Sequence, residues 1–293
     1  MIITNTLNMP APFVDAVNNE YKYKDKQYSV TALLKGATQN ILERRHADEI
    51  EQDVSEMVWM IFGSAVHKIL EDSQETITQL KENKLIIDLP NGYKISGIFD
   101  LYDDKTKTVT DYKTASVNKV LFNDWDDYRK QTLMYCWMLR KIGFEAENGE
   151  IVAMLKDHSK AKAMQGGDYP KHPVYRIKWK FTDKDFEEIE TFIMNRIEDI
   201  SDLENMADED LPACTPSERW HKDDTFAIMK DGRKSAVRVF KSKEEAVNYF
   251  NENNLDKKHN IVKREGADNK CDNYCTVNKW CPFYQMKAGV IND

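Results

Sequence analysis

Residues 97–114, GIFDLYDDKTKTVTDYKT, constrain the fold more than any other stretch of this chain. Two runs in which apolar and polar residues alternate flank a charged DDKTK turn, and this pattern predicts a β-hairpin. The first run carries Asp100, and the second carries Asp111 and Lys113. Successive side chains of a strand point to opposite faces, so Asp111 and Lys113 share a face. Counting from the turn places Asp100 opposite residues 109–111, and we expect the two carboxylates to converge.

These three charged residues allow two interpretations. Two carboxylates held close together repel each other unless a cation lies between them, and such oxygen ligands suit Mg²⁺ or Mn²⁺. A neighbouring lysine can then orient a water molecule or stabilise phosphate charge. The alternative is a solvated hairpin with surface charges and an Asp–Lys ion pair. The hairpin alone favours the alternative, because charged strand residues usually face water.

The elements predicted around the hairpin set the fold class. Helical spacing predicts helices over 28–49, 57–82, 124–143 and 182–206. Strand patterns cover 84–89, 93–103, 107–114, 149–158 and 174–181. This order of elements predicts an α/β or α+β protein in which helices pack on a sheet. Asp124 is a candidate helix N-cap, Gly143 a candidate helix stop, and Thr182 opens a Thr-x-x-Asp capping signal.

Changes in residue composition and pattern along the chain predict four parts. Residues 1–26 are predicted to be an N-terminal arm, and residues 27–210 form the main core. Residues 211–266 have the pattern of a small strand–helix–strand module. Residues 267–293 are rich in cysteine, and we expect this segment to pack back on the core.

Composition bounds the class of protein. The formal net charge is −8 and the pI is near 5.4, which argues against a protein that coats polyanions, although a local basic groove can coexist with acidic faces. The apolar stretches are too short to cross a bilayer. The first residues lack the pattern of a signal peptide, so we expect a cytoplasmic protein.

Two further motifs flank the hairpin. The segment GSAVHKILE places Gly63 and His67 four residues apart on one predicted helix face. His67 is either a buried core histidine or a metal ligand. Downstream, Gln131 and Tyr135 share a helix face, and a partly buried amide and phenol at this spacing are common.

In order, the four motifs resemble the RecB-type branch of the PD-(D/E)XK nuclease superfamily. They are Gly-x-x-x-His, Gly-x-x-Asp, Asp-x-Lys and Gln-x-x-x-Tyr, and the resemblance covers roughly residues 27–180. The segments SVTALL and RRHADE are most similar to RecB-type exonucleases of bacteriophages. The resemblance implies a restriction-endonuclease-like fold, with a central mixed β-sheet flanked by helices.

The resemblance also implies roles for individual residues. One or two Mg²⁺ or Mn²⁺ ions would be bound by His67, Asp100, Asp111 and the backbone carbonyl of Tyr112. Lys113 would position the attacking water or help to deprotonate it. Gln131 and Tyr135 would contact DNA or brace the site. Further candidates for DNA contact are Arg44, Arg45 and Arg129.

The activity implied is that of a metal-dependent DNA exonuclease. It would act on DNA ends or single strands in recombination, repair or phage DNA metabolism, in the host cytoplasm if the gene is a phage's. A recombination or annealing protein is an expected partner. Two alternatives are a CRISPR-adaptation-type nuclease that trims DNA before integration, and a catalytically silent DNA-binding scaffold.

The chain has five cysteines, an odd number that speaks against a disulfide framework. Some RecB-type nucleases carry a [4Fe–4S] cluster on one cysteine before the core and three near the C-terminus. Here the N-terminal position is Gly36, and Cys136 is expected to be a core thiol. Analogy therefore favours a [4Fe–4S] cluster, with Zn²⁺ as the alternative, on Cys214, Cys271, Cys275 and Cys281.

The module before this segment has locally basic stretches, which fit either phosphate contact or a solvated hairpin. Three aromatic residues near the cysteines could stack on nucleic-acid bases, although packing in a core or around the cluster is the favoured interpretation. They are Trp220, Trp280 and Phe283.

Overall fold

A computed structural model of the chain describes residues 1–18 and 22–289. Residues 19–21, within the predicted N-terminal arm, and 290–293, at the end of the predicted cysteine-rich segment, lie outside the described residues. The chain divides into two compact units, Met1–Asn205 and Met206–Asp293.

The first unit contains the hairpin and most of the predicted strands. Its strands are β1 (Ile2–Thr4), β2 (Gln27–Ser29), β3 (Glu51–Asp53), β4 (Gln79–Lys81), β5 (Lys84–Asp88), β6 (Lys94–Ile98), β7 (Leu101–Asp103), β8 (Thr108–Ala115), β9 (Asn148–Leu155) and β10 (Val174–Lys180). The main sheet has the order β10-β9-β8-β7-β4, in which β8 and β9 are parallel and the other pairs are antiparallel. A smaller sheet has the order β2-β6-β5, and β1 pairs with β3.

Helices flank these sheets, so the predicted fold class, a mixed sheet flanked by helices, is confirmed. The helices are α1 (Ala11–Val17), α2 (Val30–Leu33), α3 (Ala37–Arg45), α4 (Val58–Glu71), α5 (Val117–Leu121), α6 (Asp126–Lys141), α7 (Lys160–Ala163) and α8 (Asp183–Leu203). Two short 3₁₀ turns cover Val54–Met57 and Pro90–Gly92.

Helix α6 lies at the centre of the core, because every residue from 131 to 139 is buried. It packs against α8, whose buried isoleucines recur every three or four residues and form one apolar stripe. The predicted capping box of α8 is confirmed: Thr182 and Asp185 cap each other's backbone amides. Gly143, with φ of +97°, ends α6 as predicted. The predicted N-cap at Asp124 is wrong, since Asp124 forms an ion pair with Lys119 and α6 begins two residues later.

The predicted strand over 93–103 is interrupted at Phe99 and Asp100. The first half, β6, belongs to the smaller sheet, and the second half, β7, belongs to the main sheet. The chain therefore changes sheets at Asp100. A carboxylate oxygen of Asp100 accepts a hydrogen bond from the Tyr112 amide at 2.6 Å, which satisfies a donor that no strand partner reaches here.

The predicted helix over 57–82 is also shorter in the structure. It ends at Glu71, and the chain then forms β4. Ile77, which extends the helical spacing in the sequence, is fully exposed.

The second unit has its own small sheet, β13-β12-β14, covered by one helix. Its elements are β11 (His221–Lys222), β12 (Thr225–Lys230), β13 (Arg238–Phe240), α9 (Lys243–Glu252), β14 (His259–Arg264), β15 (Ala267–Asp268), α10 (Asn269–Asn273), α11 (Pro282–Lys287) and 3₁₀ turns at Asp208–Asp210 and Asn278–Trp280. Ala227, Ile228 and Ala246 form the buried contact between sheet and helix. Across the described part of the chain, helices long and apolar enough to span a membrane are absent.

Candidate active site

Two buried aspartates form the centre of the site. In the register of β7 and β8, Leu101 pairs with Thr110, so Asp100 falls opposite Asp111. Asp100 is 7% exposed and Asp111 is 2% exposed. Carboxylates this deeply buried normally need a cation or several hydrogen-bond donors.

His67 joins the aspartates from helix α4. Its Nδ1 atom lies 3.3 Å from the nearer carboxylate oxygen of Asp100. The hydrogen bond to Asp100 raises the pKa of His67. The predicted helical motif and the first aspartate are therefore adjacent in space.

Lys113 supplies the positive charge. Its Nζ atom lies 2.5 Å from Oδ2 of Asp111. Nevertheless, that oxygen has no well-oriented hydrogen-bond donor among the described residues. Burial raises the pKa of Asp111 to about 6, although Lys113 acts in the opposite direction, and the charge of Asp100 adds to the increase. The structure thus holds Asp111 as a poorly compensated buried acid.

Glu82 is a member of the site that the sequence did not predict. It lies between β4 and β5 with φ of +50°, and its amide donates to the Asp100 carbonyl oxygen at 3.3 Å. One ligand atom each from His67, Glu82 and Asp100 lies within 4.8 Å of the others. Burial raises the pKa of Glu82, and the Asp100 charge adds to the effect. No motif in the sequence marked this residue, because the predicted helix ran through it.

These residues fit a divalent cation. Their donor set is three carboxylates and one imidazole, and hard oxygen ligands suit Mg²⁺ or Mn²⁺. Burial and the charge of Asp100 raise the pKa values of Glu82 and Asp111, and a bound cation would offset both effects. His67, Glu82 and Asp100 would hold the ion, with Asp111 beside them. For Tyr112 the structure shows the amide bound to Asp100, and a role for its carbonyl stays a prediction.

Replacing Glu82 tests this set of ligands. We expect Glu82→Gln to weaken Mn²⁺ binding by about 10- to 100-fold, since it removes one charge from the group. Isothermal titration of Mn²⁺ into both proteins measures the change. Glu75→Gln, at an exposed glutamate shortly before β4, should bind as the parent does. Equal affinities in Glu82→Gln and the parent would remove Glu82 from the site.

Gln131 and Tyr135 lie on the face of α6 that meets this group. Both are buried, and the Gln131 amide donates to the Tyr135 hydroxyl at 3.2 Å. Burial raises the pKa of Tyr135, and the charges of Asp111, Asp100 and Glu82 contribute. The phenol ring packs directly on Gly97, where a Cβ atom would lie 2.7 Å from Tyr135 Cε1 and 3.0 Å from Val30 Cγ2. Gly97 is therefore needed for this ring to reach the site.

We expect Gly97→Ala to destabilise the fold by about 1–3 kcal/mol, because Val30 and Tyr135 are both too buried to move aside. Gly63→Ala is a matched comparison within α4. Its Cβ would meet only Thr114 Oγ1 at 3.7 Å, and alanine is the better helix former by up to about 1 kcal/mol. Urea unfolding of the three proteins should therefore rank Gly63→Ala at or above the parent and Gly97→Ala below it. The reverse order would contradict the packing described for Tyr135.

The three predicted arginines are held by protein groups. Arg44 donates to the carbonyl oxygens of Lys24 and Gln27 and stacks on Tyr28. Arg45 donates to the Glu204 carbonyl, and Arg129 forms an ion pair with Asp185. Their contact with DNA stays a prediction.

Lysines that the sequence did not single out line a cavity of about 300 Å³ beside Tyr135 and Gly97. They are Lys22, Lys24 and Lys84, and the hydroxyls of Ser29, Thr31 and Ser96 also line it. Lys24 and Lys84 form no ion pair within the described residues. This is a cationic cavity in an acidic protein, next to the acidic group.

The four cysteines predicted to bind a cluster or zinc lie in the second unit; they are Cys214, Cys271, Cys275 and Cys281. All four are partly exposed, and none is in a disulfide. Burial raises the pKa of Cys271 to about 12, and charges on Cys275, Asp268, Cys214 and Cys281 contribute, so each of these groups is near enough to act on the Cys271 thiol. Four thiols are the donor set of a [4Fe–4S] or structural zinc centre. Among the described residues, however, the sulfur atoms of these cysteines do not form a group within 4.8 Å of one another, as the ligand atoms of His67, Glu82 and Asp100 do. Cys136 is fully buried, which confirms the predicted core thiol.

Comparisons with known proteins identify the family of this chain. Residues 15–218 match the family model of the PD-(D/E)XK nuclease superfamily. The crystal structure of SSO0001 is similar at a TM-score of 0.46 and 18% identity, over 68% of this chain and 87% of that one. A phage-related exonuclease from Haemophilus somnus 129PT is similar at a TM-score of 0.30 and 10% identity, over 58% and 73%. At these TM-scores, neither structure supports a conclusion about this chain.

No curated protein matches the chain. The family model nevertheless spans more than two thirds of the 293 residues. The chain belongs to the PD-(D/E)XK nuclease superfamily.

Proposed function

We propose that this protein is a divalent-metal-dependent DNA exonuclease of the RecB type, which hydrolyses phosphodiester bonds at DNA ends or in single strands. One observation carries the proposal: Asp111 is buried, its Oδ2 atom lacks a well-oriented donor, and Lys113 Nζ lies 2.5 Å away. A buried acid beside a lysine, with Asp100 opposite, is the set of groups that phosphodiester hydrolysis needs. A catalytically silent scaffold has no need to maintain so unfavourable a cluster.

Each side chain has a distinct part in the proposed reaction. Bound Mg²⁺ or Mn²⁺ supplies Lewis-acid stabilisation of the phosphoryl oxygens and a more acidic water. His67, Glu82 and Asp100 hold the ion. Asp111 fixes the ammonium of Lys113, which directs an N–H toward the attacking water or the scissile phosphate. Gln131 and Tyr135 close the wall of the site on the side of α6.

The cationic cavity supports DNA as the substrate. Lys84 follows Glu82 by two residues, and both Lys84 and Lys24 line this cavity. Lys84 and Lys24 would therefore meet the phosphate next to the scissile one, and Coulombic attraction would hold the strand in register.

The proposal also covers the biological role of the enzyme and a metal centre on the four cysteines. We assign the enzyme to recombination, repair or phage DNA metabolism, with an annealing protein as its expected partner. Trimming of DNA before CRISPR-type integration is the alternative role. A [4Fe–4S] cluster on the four cysteines would produce a broad absorption near about 400 nm that Cys275→Ala removes, whereas a zinc centre would be colourless.

Digestion of end-labelled DNA tests the activity. Linear single-stranded and duplex DNA, each labelled at the 5′ or the 3′ end, is compared with circular DNA in the presence of Mg²⁺. An exonuclease releases nucleotides from linear DNA alone. Equal cleavage of circles would replace the proposal with an endonuclease. Absence of cleavage, together with Mn²⁺ binding that is indifferent to Asp100→Ala and Asp111→Ala, would favour the scaffold.

A further inference from the structure

The second unit contains an open cavity of about 510 Å³ that the nuclease site does not explain. Two aromatic rings form its apolar part, and both are well exposed: Trp220 at 46% and Tyr274 at 68%. Their centroids are 5.3 Å apart and their planes are inclined by 59°. The rest of the lining is polar: His221, Lys222, Asn269 and Asn273. Packing in a core, one of the two interpretations that the sequence favoured for Trp220, is therefore wrong, and packing around a cluster stays a prediction.

The backbone conformation of Trp220 is unfavourable for a tryptophan. Its φ is +52°, in the left-handed region, and it is the only aromatic residue among the described non-glycine residues with positive φ. It ends a helical turn: its amide donates to the Ser217 carbonyl, and the His221 amide donates to the Pro216 carbonyl. Glycine is the usual residue at this position. A large side chain in the left-handed region destabilises the folded state. Because the Trp220 ring is exposed, hydrophobic burial does not offset that cost.

Surrounding groups hold the tryptophan in place from the backbone side. The side-chain Nδ2 of Asn269 donates to the Trp220 carbonyl at 3.4 Å, and the backbone amide of Lys270 donates to the Arg219 carbonyl at 3.1 Å. Strand β11, which starts at His221, pairs with β15. The exposed ring therefore projects from a fixed backbone.

Positive charge accompanies the rings. Lys270 Nζ lies 5.9 Å from the centre of the Trp220 ring, and Lys222 lines the cavity. Neither lysine forms an ion pair in the described part of the chain. The nearby acid Asp268 is buried and already paired with His221, Arg219 and Lys287. Asp223, which is exposed, lies 3.5 Å from His221 Nε2.

We propose that this cavity binds unpaired nucleobases of single-stranded DNA. Trp220 and Tyr274 stack on the faces of the bases, and Lys222 and Lys270 contact the adjoining phosphates. Aromatic faces accept any base, so the site holds a strand without reading its sequence. Duplex DNA is excluded because its base faces are covered by their neighbours. The proposal rests on the proposed function only for the choice of DNA as the ligand.

Binding is measured without cleavage, so that its failure is separate from a failure of the nuclease assignment. The full-length protein carrying Lys113→Met is titrated, without added divalent ions, into a fluorescein-labelled thymidine oligonucleotide and into a duplex of the same length. Fluorescence anisotropy gives the affinities. We expect the single strand to bind more tightly than the duplex, and Trp220→Gly to weaken its binding by about 5- to 100-fold.

Trp220→Gly also separates a binding role from a structural one. A glycine suits φ of +52°, so the melting temperature of this variant should equal or exceed that of the parent. Asn254→Gly, at another left-handed residue of the same unit, is the matched control and should bind as the parent does. Trp220→Phe should retain most of the affinity.

Three results would overturn the proposal: unchanged single-strand affinity in Trp220→Gly, equal binding of duplex and single strand, or no binding of either. If Trp220→Gly has a lower melting temperature than the parent, variants of the second ring, Tyr274, test the proposal instead. Tyr274→Phe should then bind normally and Tyr274→Ala weakly, and equal binding by these two variants would also overturn the proposal.

Discussion

Lys113→Met will lower the rate of phosphodiester cleavage by about 10²- to 10⁴-fold while leaving Mn²⁺ affinity within a few-fold of the parent. The reason is the division of labour within the site. His67, Glu82 and Asp100 form the group with ligand spacing, whereas the ion pair of Lys113 is with Asp111, outside that group. Loss of the ammonium removes an N–H donor from the reacting atoms but removes no metal ligand. Single-turnover digestion of end-labelled DNA gives the rate, and calorimetric titration gives the affinity.

Lys119 provides a matched control for this prediction. Lys113 and Lys119 both lie over the ring of Tyr128, with Nζ atoms 5.4 Å and 4.8 Å from its centre. Lys119, however, pairs with Asp124 instead of Asp111. Lys119→Met should therefore cleave at close to the parental rate. Cleavage by Lys113→Met within three-fold of the parent would show that the lysine takes no part in the reaction.

The relation between Asp100 and Asp111 was predictable because it depends on a local turn. A short turn and strict alternation determine the hairpin register to within one residue, and that register places the two aspartates opposite each other. What the sequence did not reveal is that the strand breaks at Asp100 and changes sheets. The break depends on pairing with β4 and with β2, which come from distant parts of the chain.

Glu82 could not be found for a related reason. Ile77 and Leu80 continue the helical spacing of α4, so the periodicity predicted a helix that covers residue 82. In the structure the chain leaves the helix at Glu71, and β4 pairs with β7 instead. Tertiary strand pairing overrides local periodicity here, and this pairing delivers Glu82 to Asp100.

The basic residues illustrate the limits of charge patterns. Arg44 and Arg45 stand out in the sequence as an adjacent pair, yet their guanidinium groups donate to backbone carbonyls. Lys84 stands alone in the sequence and lines the cationic cavity. Composition cannot distinguish an arginine that binds backbone carbonyls from a lysine that lines a cavity. That difference depends on which groups the fold places opposite each side chain.

Asp111→Asn will make the protein more stable at pH 8 in the absence of divalent ions. Burial raises the pKa of Asp111 to about 6, well above its usual value near 3.8. A folded state that binds this proton more tightly than the unfolded state loses stability as the pH rises. With 1.36 kcal/mol for each pKa unit, the ionised carboxylate costs about 3 kcal/mol above pH 6. Asparagine has nearly the same shape as aspartate, but it carries no charge to bury.

The pH dependence identifies the cause. The stability difference between Asp111→Asn and the parent should be small near pH 4, grow between pH 4 and 6, and stay constant above pH 7, as measured by urea unfolding across this range. Asp104→Asn, at an exposed aspartate of the hairpin turn, should show no such gain. Saturating Mn²⁺ should narrow the difference, because ligand at 100 times its Kd stabilises the parent by about 2.7 kcal/mol and the variant by less. A variant that is less stable than the parent at pH 8 without metal would mean that Lys113 compensates Asp111 fully, and the raised pKa would then be wrong. This narrowing is expected of a site whose acids destabilise the fold until a cation binds to them.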